Sequence, residues 1–531
     1  MDNKNKPTIY LPKQGQMDRR RFLKYSGAAF GSLVALGLLP VDPALAAGAP
    51  KFQDNPFKLG VASGDPLPDG IVLWTRLAPE PLAEDGLGGM PNRSVAVHWE
   101  LSEDESFQKV IQRGTAQALP ELAHSVHVEV RGLKPSRYYW YRFKVGQEHS
   151  QTGRTKTAPM PNGNLSELSF AIASCQAWYH GYFTAYQHMM NDNPDVVFFL
   201  GDYIYEYAIN SSNLKRNVQL AAVHNSQTTT LSQYRLRYSL FKTDPDLQAI
   251  HATAPWVLTG DDHEVQNNYS GPHSQYGTSE EEFLRQRAAA YQAFYENLPL
   301  RSTSIPSGPD MHNYRRLRFG NLAEFNVLDT RQYRNDLVNG DARLDPSRSI
   351  LGEAQENWLY QGFSKSNTIW NVLVNQVVMA QIDRDLGPGM TFSADQWDGY
   401  PANRDRLFAA YQQYNIKNPV VLTGDIHRHV AAELKLDFND PNSKTIGTEL
   451  VTTSIASDMD GAVTDSLAAL WLGNPHVKLY NAQRGYVRCK MTPQQLQADF
   501  QVLPYVTRPG SPISTFASFV VEAGNPGLQK I

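Results

Sequence analysis

Six short apolar runs in this chain each stop at residues able to do chemistry. Val196-Val-Phe-Phe-Leu200 breaks at Gly201, and Asp202, Tyr203 and Tyr205 follow at once. Ser169-Phe-Ala-Ile-Ala-Ser174 leads into Cys175, and Trp256-Val-Leu-Thr-Gly260 into Asp261, Asp262, His263 and Glu264. Phe325-Asn-Val-Leu328 ends on Asp329, and Trp370-Asn-Val-Leu-Val374 on Asn375 and Gln376. Pro419-Val-Val-Leu-Thr-Gly424 ends on Asp425, His427 and His429. Runs this short and this apolar predict strands buried on both faces, as in a parallel sheet covered by helices. Helical segments over 182–193, 280–298, 351–364 and 403–414 alternate with them, the rhythm of an α/β core. Ligands of such sheets gather at the carboxyl ends of the strands. The six strand ends therefore predict one shared site.

Upstream the pattern changes to strands at short spacing, such as Ile71-Val-Leu-Trp-Thr-Arg76 and Val95-Ala-Val-His-Trp-Glu-Leu101. That spacing predicts a small Ig- or fibronectin-like β-sandwich over 47–160. Gly132-Leu-Lys-Pro-Ser-Arg-Tyr138 resembles the tyrosine corner of fibronectin-type sandwiches. The core domain is then expected over 161–504. Residues 505–531 are rich in Pro, Gly and Ser, and are read as a lid over the site or as a packed tail.

Residues 1–46 read as an export signal. Arg19-Arg20-x-Phe22-Leu23-Lys24 matches the twin-arginine consensus, and Ala44-Leu-Ala46 supplies a cleavage site. The apolar stretch between them is roughly 15 residues against about 20 for a span, so no stable membrane anchor is expected. The expected partner is the twin-arginine export machinery and the expected location periplasmic or secreted. A net charge of −4 leaves no basic footprint for nucleic acid. A monomer is expected.

The chain has two cysteines, Cys175 and Cys489. Exported proteins commonly pair theirs. The twin-arginine route carries chains already folded, however, and Cys175 ends a strand in the site, so a ligand role suits it better. Around one ion Cys175 offers a thiolate, Tyr205 a phenolate, Asp202 a carboxylate and His429 an imidazole. Three anionic donors favour ferric iron, for which phenolate ligation is known in catalase haem. Zinc is the competing choice for nitrogen and sulfur donors. Asp202, Asp262, Asn267 or Asn268, and His427 would hold further ions, and their oxygens favour calcium, magnesium or manganese. Cations so arranged polarise phosphoryl oxygens and lower the pKa of water toward ~7, which points to phosphate-ester chemistry.

A series of motifs then fits one family. In order they are Val61-Ala-Ser-Gly-Asp-Pro66, Ser174-Cys-Gln176, Gly201-Asp-Tyr-Ile-Tyr-Glu-Tyr207 and Asp261-Asp-His-Glu264 with Asn267-Asn-Tyr269. Leu328-Asp-Thr-Arg-Gln-Tyr333, Gln396-Trp-Asp-Gly-Tyr-Pro401, Gly424-Asp-Ile-His-Arg-His429 and Arg484-Gly-Tyr-Val-Arg488 complete the series. Together they resemble PhoD-type alkaline phosphatase/phosphodiesterases, relatives of the calcineurin-like metallophosphoesterases. Gly260 stands where that pattern has Trp.

The resemblance implies a four-layer α/β/β/α metallophosphatase core behind the sandwich, with one Fe3+ and two Ca2+ ions. It gives iron to Cys175, Asp202, Tyr205 and His429, and calcium to Asp202, Asp262, Asn267 or Asn268, His427 and Asp425. It implies hydrolysis of phosphomonoesters and phosphodiesters at alkaline pH by in-line attack of a metal-bound hydroxide. A phospholipase D-like action on lipid headgroups is the alternative, and a non-catalytic, polymer-binding exported protein is a different class. Asp202, Asp262 and His263 are then the catalytic candidates. Arg235 and Arg237 join them as phosphate contacts or as neutralisers of carboxylates. Arg331, Asp329, Asn375, Gln376 and Asp398 are expected around them as substrate contacts or hydrogen-bonded supports.

Overall fold

The computed structural model describes residues 52–531 apart from Pro441. The export signal over 1–46 and the first residues of the expected sandwich, 47–51, lie outside the described residues. Among the described residues 22 strands form three sheets.

The N-terminal region forms β1 (Val61–Leu67), β2 (Gly70–Arg76), β3 (Val95–Ser102), β4 (Val110–Ala118), β5 (Ser125–Arg131), β6 (Tyr138–Val145), β7 (Glu148–His149) and β8 (Gly153–Lys156). β6 shows why they stack. Its Tyr139, Tyr141, Phe143 and Val145 are buried while the residues between them are half-buried, so one face meets Ile71, Leu73, Val126 and Val128 across the sandwich. The expected tyrosine corner is present, with the Tyr139 hydroxyl accepting from the Lys134 N–H at 2.9 Å. The two halves of the sandwich differ in one respect that its sequence spacing does not reveal. β3, β4, β6, β7 and β8 make a five-stranded sheet of their own, whereas β1, β2 and β5 continue into the core.

The core adds β9 (Leu168–Ala173), β10 (Val196–Phe199), β11 (Trp256–Leu258), β12 (Arg315–Phe319), β13 (Ala323–Val327), β14 (Trp370–Val374) and β15 (Pro419–Thr423). It ends with β16 (His429–Lys435), β17 (Thr445–Val451), β18 (Val477–Asn481), β19 (Arg484–Met491), β20 (Gln495–Leu503), β21 (Ser514–Glu522) and β22 (Asn525–Lys530). The long sheet runs β22-β21-β20-β19-β9-β10-β11-β1-β2-β5, and the second β12-β13-β14-β15-β17-β16-β18. β9, β10, β11 and β1 run parallel, as do β13, β14, β15 and β17. The join at β1 is tight: a Cβ on Gly64, which lies opposite Trp256, would run into the Pro299 carbonyl. The 505–531 segment supplies β21 and β22, the edge of the long sheet, with Phe519 and Val521 in the core.

Alternation along the strands builds the layers. Phe170, Ile172, Val196 and Phe198 face the second sheet and meet Phe325, Val372, Val420 and Leu422. Ala171, Ala173, Val197 and Phe199 face outward to helices Thr184–Asn191, Leu231–Lys242 and Glu280–Asn297. On the far side Leu373, Val421 and Val451 meet helices Gly352–Phe363 and Pro401–Gln413. The result is helix, sheet, sheet, helix. Strands covered on both faces have no use for polar alternation, which accounts for the unbroken apolar runs.

Candidate metal centre

Backbone strain collects where the parallel strands end. Cys175, Asp202, Asp425 and His427 have φ values of 59°, 59°, 65° and 55°, in the left-handed region that non-glycine residues seldom occupy. Gly201, at φ 103°, is obligatory because a Cβ there would clash with Asp261. Each turn lets the chain leave its strand sharply and aim a side chain along the sheet axis.

Three of these side chains converge, and a fourth from the same loops joins them. The ligand atoms of Cys175, Asp202 and His427 lie within 4.8 Å of one another. Tyr205 joins them, its hydroxyl 2.8 Å from Asp202 Oδ2 and 3.0 Å from His427 Nε2. The Ser457 hydroxyl donates to the same phenol oxygen at 2.7 Å. All four come from loops after β9, β10 and β15. Burial, and then the Asp202 charge, push the Cys175 thiol well above its ordinary range, and burial with Asp202 does the same to the Tyr205 phenol. Burial opposes the charge on His427, but Asp202 and Asp458 outweigh it and hold the imidazole above its usual value. Asp458 bonds His427 Nδ1 at 2.8 Å, leaving Nε2 to face the cluster.

A second cluster is built around Arg331. Its guanidinium meets Asp261, Asp395 at 2.7 Å, Asp425 at 3.0 Å and Asp262 at 3.4 Å. Arg334 also reaches Asp395, at 2.8 Å. Burial raises Asp425 to about 6 and lifts Asp261 well above the carboxylate range. Asp262 moves the other way: burial opposes its charge, but Arg331 and His263 outweigh it. Asp202, Asp262 and His263 lie between the clusters with ligand atoms again within 4.8 Å of one another. His263 Nδ1 is held by Glu206 at 2.8 Å. Burial opposes protonation of that ring, yet Glu206, Asp262 and Asp202 push its pKa well up.

Several expected roles move. His429 is not with Cys175 and Asp202, because it opens β16 and both ring nitrogens are taken by backbone. Nε2 lies 3.1 Å from the Gln501 carbonyl and Nδ1 accepts the Thr453 N–H at 3.2 Å. Burial pushes its pKa down to about 4. Arg235 is paired with Glu296 and the Glu121 carbonyl, away from the strand ends. Arg237 donates to the Tyr205 and Tyr207 carbonyls, so it holds the ligand loop from behind and does not face the site. The Asn267 amide bonds Gln275, and it is the Asn268 N–H that reaches Asp262, at 2.7 Å.

The expected supports are buried and bonded. Asp329 accepts the N–H groups of Arg331 and Gln332 at 3.1 and 2.9 Å. Gln376 ties Thr330 to Thr259, Asn375 accepts from the Trp397 indole at 3.2 Å, and Asp398 pairs with Arg404 at 2.7 Å. Of these, Asp329 is the one tied directly to the Arg331 backbone.

Sequence reasoning named Glu264 without giving it a role and passed over Asp395, Ser457 and Asp458. Glu264 accepts the N–H groups of Asp202, Tyr203 and Asp261 at 3.2, 2.6 and 2.7 Å, clamping two strand-end turns together. Its place in Asp-Asp-His-Glu marked it, whereas Ser457 and Asp458 follow β17 in a stretch with no motif.

These residues fit metal cofactors. Asp202 Oδ1, Asp261 Oδ2 and Asp262 Oδ1 are buried oxygens without hydrogen-bond partners. Such atoms are costly unless something positive meets them. A cation would also reverse the burial that disfavours a Cys175 thiolate.

Comparison with known proteins agrees. Residues 170–500 match the family model of PhoD-like phosphatases, and residues 43–159 that of the PhoD-like phosphatase N-terminal domain. Alkaline phosphatase D of Bacillus subtilis (strain 168) is 48% identical over 528 residues, covering 97% of this chain and 89% of that protein. A solved structure of PhoD superimposes with a TM-score of 0.87, covering 91% of this chain and 93% of that one. The purple acid phosphatase PPD1 from yellow lupin, 12% identical, shares the fold at a TM-score of 0.50, covering 87% of this chain and 73% of its own. The chain belongs to the PhoD-like phosphatase family.

Proposed function

We propose that this protein is an exported, metal-dependent phosphatase that hydrolyses phosphomonoesters and phosphodiesters at alkaline pH. The observation that carries the reading is a pair of carboxylate oxygens, Asp202 Oδ1 and Asp262 Oδ1, that lack a hydrogen-bond partner although buried between two clusters at the ends of strands from both sheets, the second with only Arg331 near it at 3.4 Å. Ferric iron would be held by Cys175, Asp202, Tyr205 and His427. Calcium would be held by Asp202, Asp262, Asp425 and an amide of the Asn267–Asn268 pair. Bound there, the cations supply Lewis-acid charge to phosphoryl oxygens.

The chain's own residues do the rest. Asp202 belongs to two of the three clusters, so it would serve as a ligand in both. Asp458 fixes the His427 tautomer. Glu206 orients His263 through Nδ1 and favours its protonated form, so that Nε2 can offer a proton to a leaving oxygen beside Asp202 and Asp262. Arg331 balances the remaining carboxylates and fixes their positions before substrate arrives.

Export by the twin-arginine route rests on Arg19-Arg20-x-Phe22-Leu23-Lys24. Among the described residues no helix is long and apolar enough to cross a membrane. Hydrolysis of p-nitrophenyl phosphate and bis(p-nitrophenyl) phosphate by purified protein tests the reading. Turnover of both that rises from pH 7 to pH 9 supports it, and a fully metallated protein that turns over neither contradicts it.

A further inference from the structure

A cavity of about 340 Å³ opens beside the Arg331 cluster. Asp425, Asp395, Gln396 and Asn268 form its inner end, so it adjoins the carboxylates placed above around the reacting phosphate. Leu467, Leu470 and Trp471 make an apolar wall, and Leu467 remains exposed although large and apolar. Two arginines, Arg384 and Arg428, also line the cavity.

The arginines are in different electrostatic states. Arg428 is spoken for, paired with Asp465 at 2.8 Å and near Asp458 at 3.6 Å. Arg384 is exposed, and among the described residues its guanidinium has no ion-pair or hydrogen-bond partner. Its acidic neighbours are engaged elsewhere. Asp383 Oδ1 accepts the N–H groups of Asp385 and Thr391 at 3.0 and 2.9 Å, and Asp385 Oδ1 accepts that of Gly387 at 2.7 Å. Those bonds, with the Arg384 N–H on the Thr391 carbonyl at 2.7 Å, pin the loop that presents the guanidinium.

We propose that this cavity seats the organic group of the ester, and that Arg384 is a specificity-determining residue that selects an anionic substituent on it. The proposal rests on the phosphatase reading of the adjoining site. An apolar spacer lies against Leu467 and Leu470, while a carboxylate or second phosphate meets the guanidinium fork, whose planar donors match either anion. Asp395 and Asp425 do not repel that group at full strength, because Arg331 pairs with both.

The test compares ethyl p-nitrophenyl phosphate with 2-carboxyethyl p-nitrophenyl phosphate on the metallated full chain. Wild type should favour the carboxylate ester in kcat/KM. Arg384→Gln should lower that ratio roughly tenfold, the usual weight of one charge-assisted hydrogen bond, and Arg384→Lys should restore part of it. A ratio that Arg384→Gln leaves unchanged, or a wild type without preference, overturns the proposal. A wild type that hydrolyses neither ester defeats the phosphatase reading instead. Calorimetric affinity for 3-phosphonopropionate against propylphosphonate then decides Arg384 separately: a preference lost in Arg384→Gln upholds its role, and equal affinities end it.

Discussion

Two carboxylate clusters lie side by side at the strand ends, and they are balanced in opposite ways. Around Arg331, four aspartates share a guanidinium that belongs to the chain. Around Asp202 a thiol, a phenol and an imidazole crowd one carboxylate, with no lysine or arginine among them. The first cluster carries part of its own counter-charge, from Arg331 and Arg334, although Asp261 Oδ2 and Asp262 Oδ1 keep no hydrogen-bond partner. The second leaves Asp202 Oδ1 without a partner and a thiol held neutral by burial, so its counter-charge must come from outside. Acidic density alone does not mark a metal site. Buried acidic oxygens that no internal donor or cation satisfies do.

The sharpest break of this contrast is Asp202→Ala. Turnover should fall by roughly 10²–10³-fold or more with the circular dichroism spectrum unchanged, because the shared ligand is gone while the surrounding clamp by Glu264 stays. Unaltered turnover would place the chemistry elsewhere. Arg331→Met attacks the other cluster and should act on stability first. Removing one partner of a buried charge network costs about 3–5 kcal/mol, readable as a lowered denaturant midpoint. An unchanged midpoint would mean that the four aspartates are neutralised without the guanidinium.

The two histidines of Gly424-Asp-Ile-His-Arg-His429 sharpen the comparison further. His427→Asn should strip metal from the protein and cost stability only through that loss, so that metal-free wild type and metal-free variant share a denaturant midpoint. His429→Asn should keep the metal and lower stability by about 1–3 kcal/mol, since it leaves buried backbone groups unpaired. The reverse pattern would return His429 to the metal.

Lys242 gives the inverse case and, per pH unit, a small effect: a buried cation with no carboxylate. Its ammonium lies over the Trp74 and Tyr203 rings at 4.1 and 5.4 Å, and burial lowers its pKa to about 7. A folded pKa below the unfolded value means that the unfolded chain binds more protons between the two. Stability should therefore rise with pH from about 7 toward 10, by at most ~1.4 kcal/mol per pH unit. Lys242→Met should flatten that slope, and an identical slope in the variant would show that other groups set it.

Much of this architecture is legible in the chain because its local rules agree. Apolar runs such as Val196-Val-Phe-Phe-Leu200, short, β-branched or aromatic and stopped by glycine, read as doubly covered strands, and each ends where a turn aims a polar side chain, so Cys175, Asp202 and Asp262 stand out. What period and spacing do not encode is which nitrogen or oxygen meets which partner. His427 and His429 are two residues apart and chemically identical, and only the stacking of β16 on β20 of the other sheet decides that one ring is buried against Gln501. Arg235 and Arg237 share a helix and a motif, yet their partners, Glu296 and the Tyr205 carbonyl, are far away in sequence. The union of β1 with β11 is equally silent, since a strand's open edge carries no mark of its neighbour. Ser457 and Asp458 sit in a turn beyond β17, with a positive φ of 65° at Asp458 that no sequence motif announces.

The central claim, that the Asp202 cluster takes its counter-charge from bound metal, is tested most directly by elemental analysis of purified wild type beside Cys175→Ser. The expected result is stoichiometric metal in wild type, with the thiolate-liganded ion lost from Cys175→Ser while ions held by oxygen remain. Wild type that is active and free of metal, or Cys175→Ser with an unchanged metal content, would contradict it.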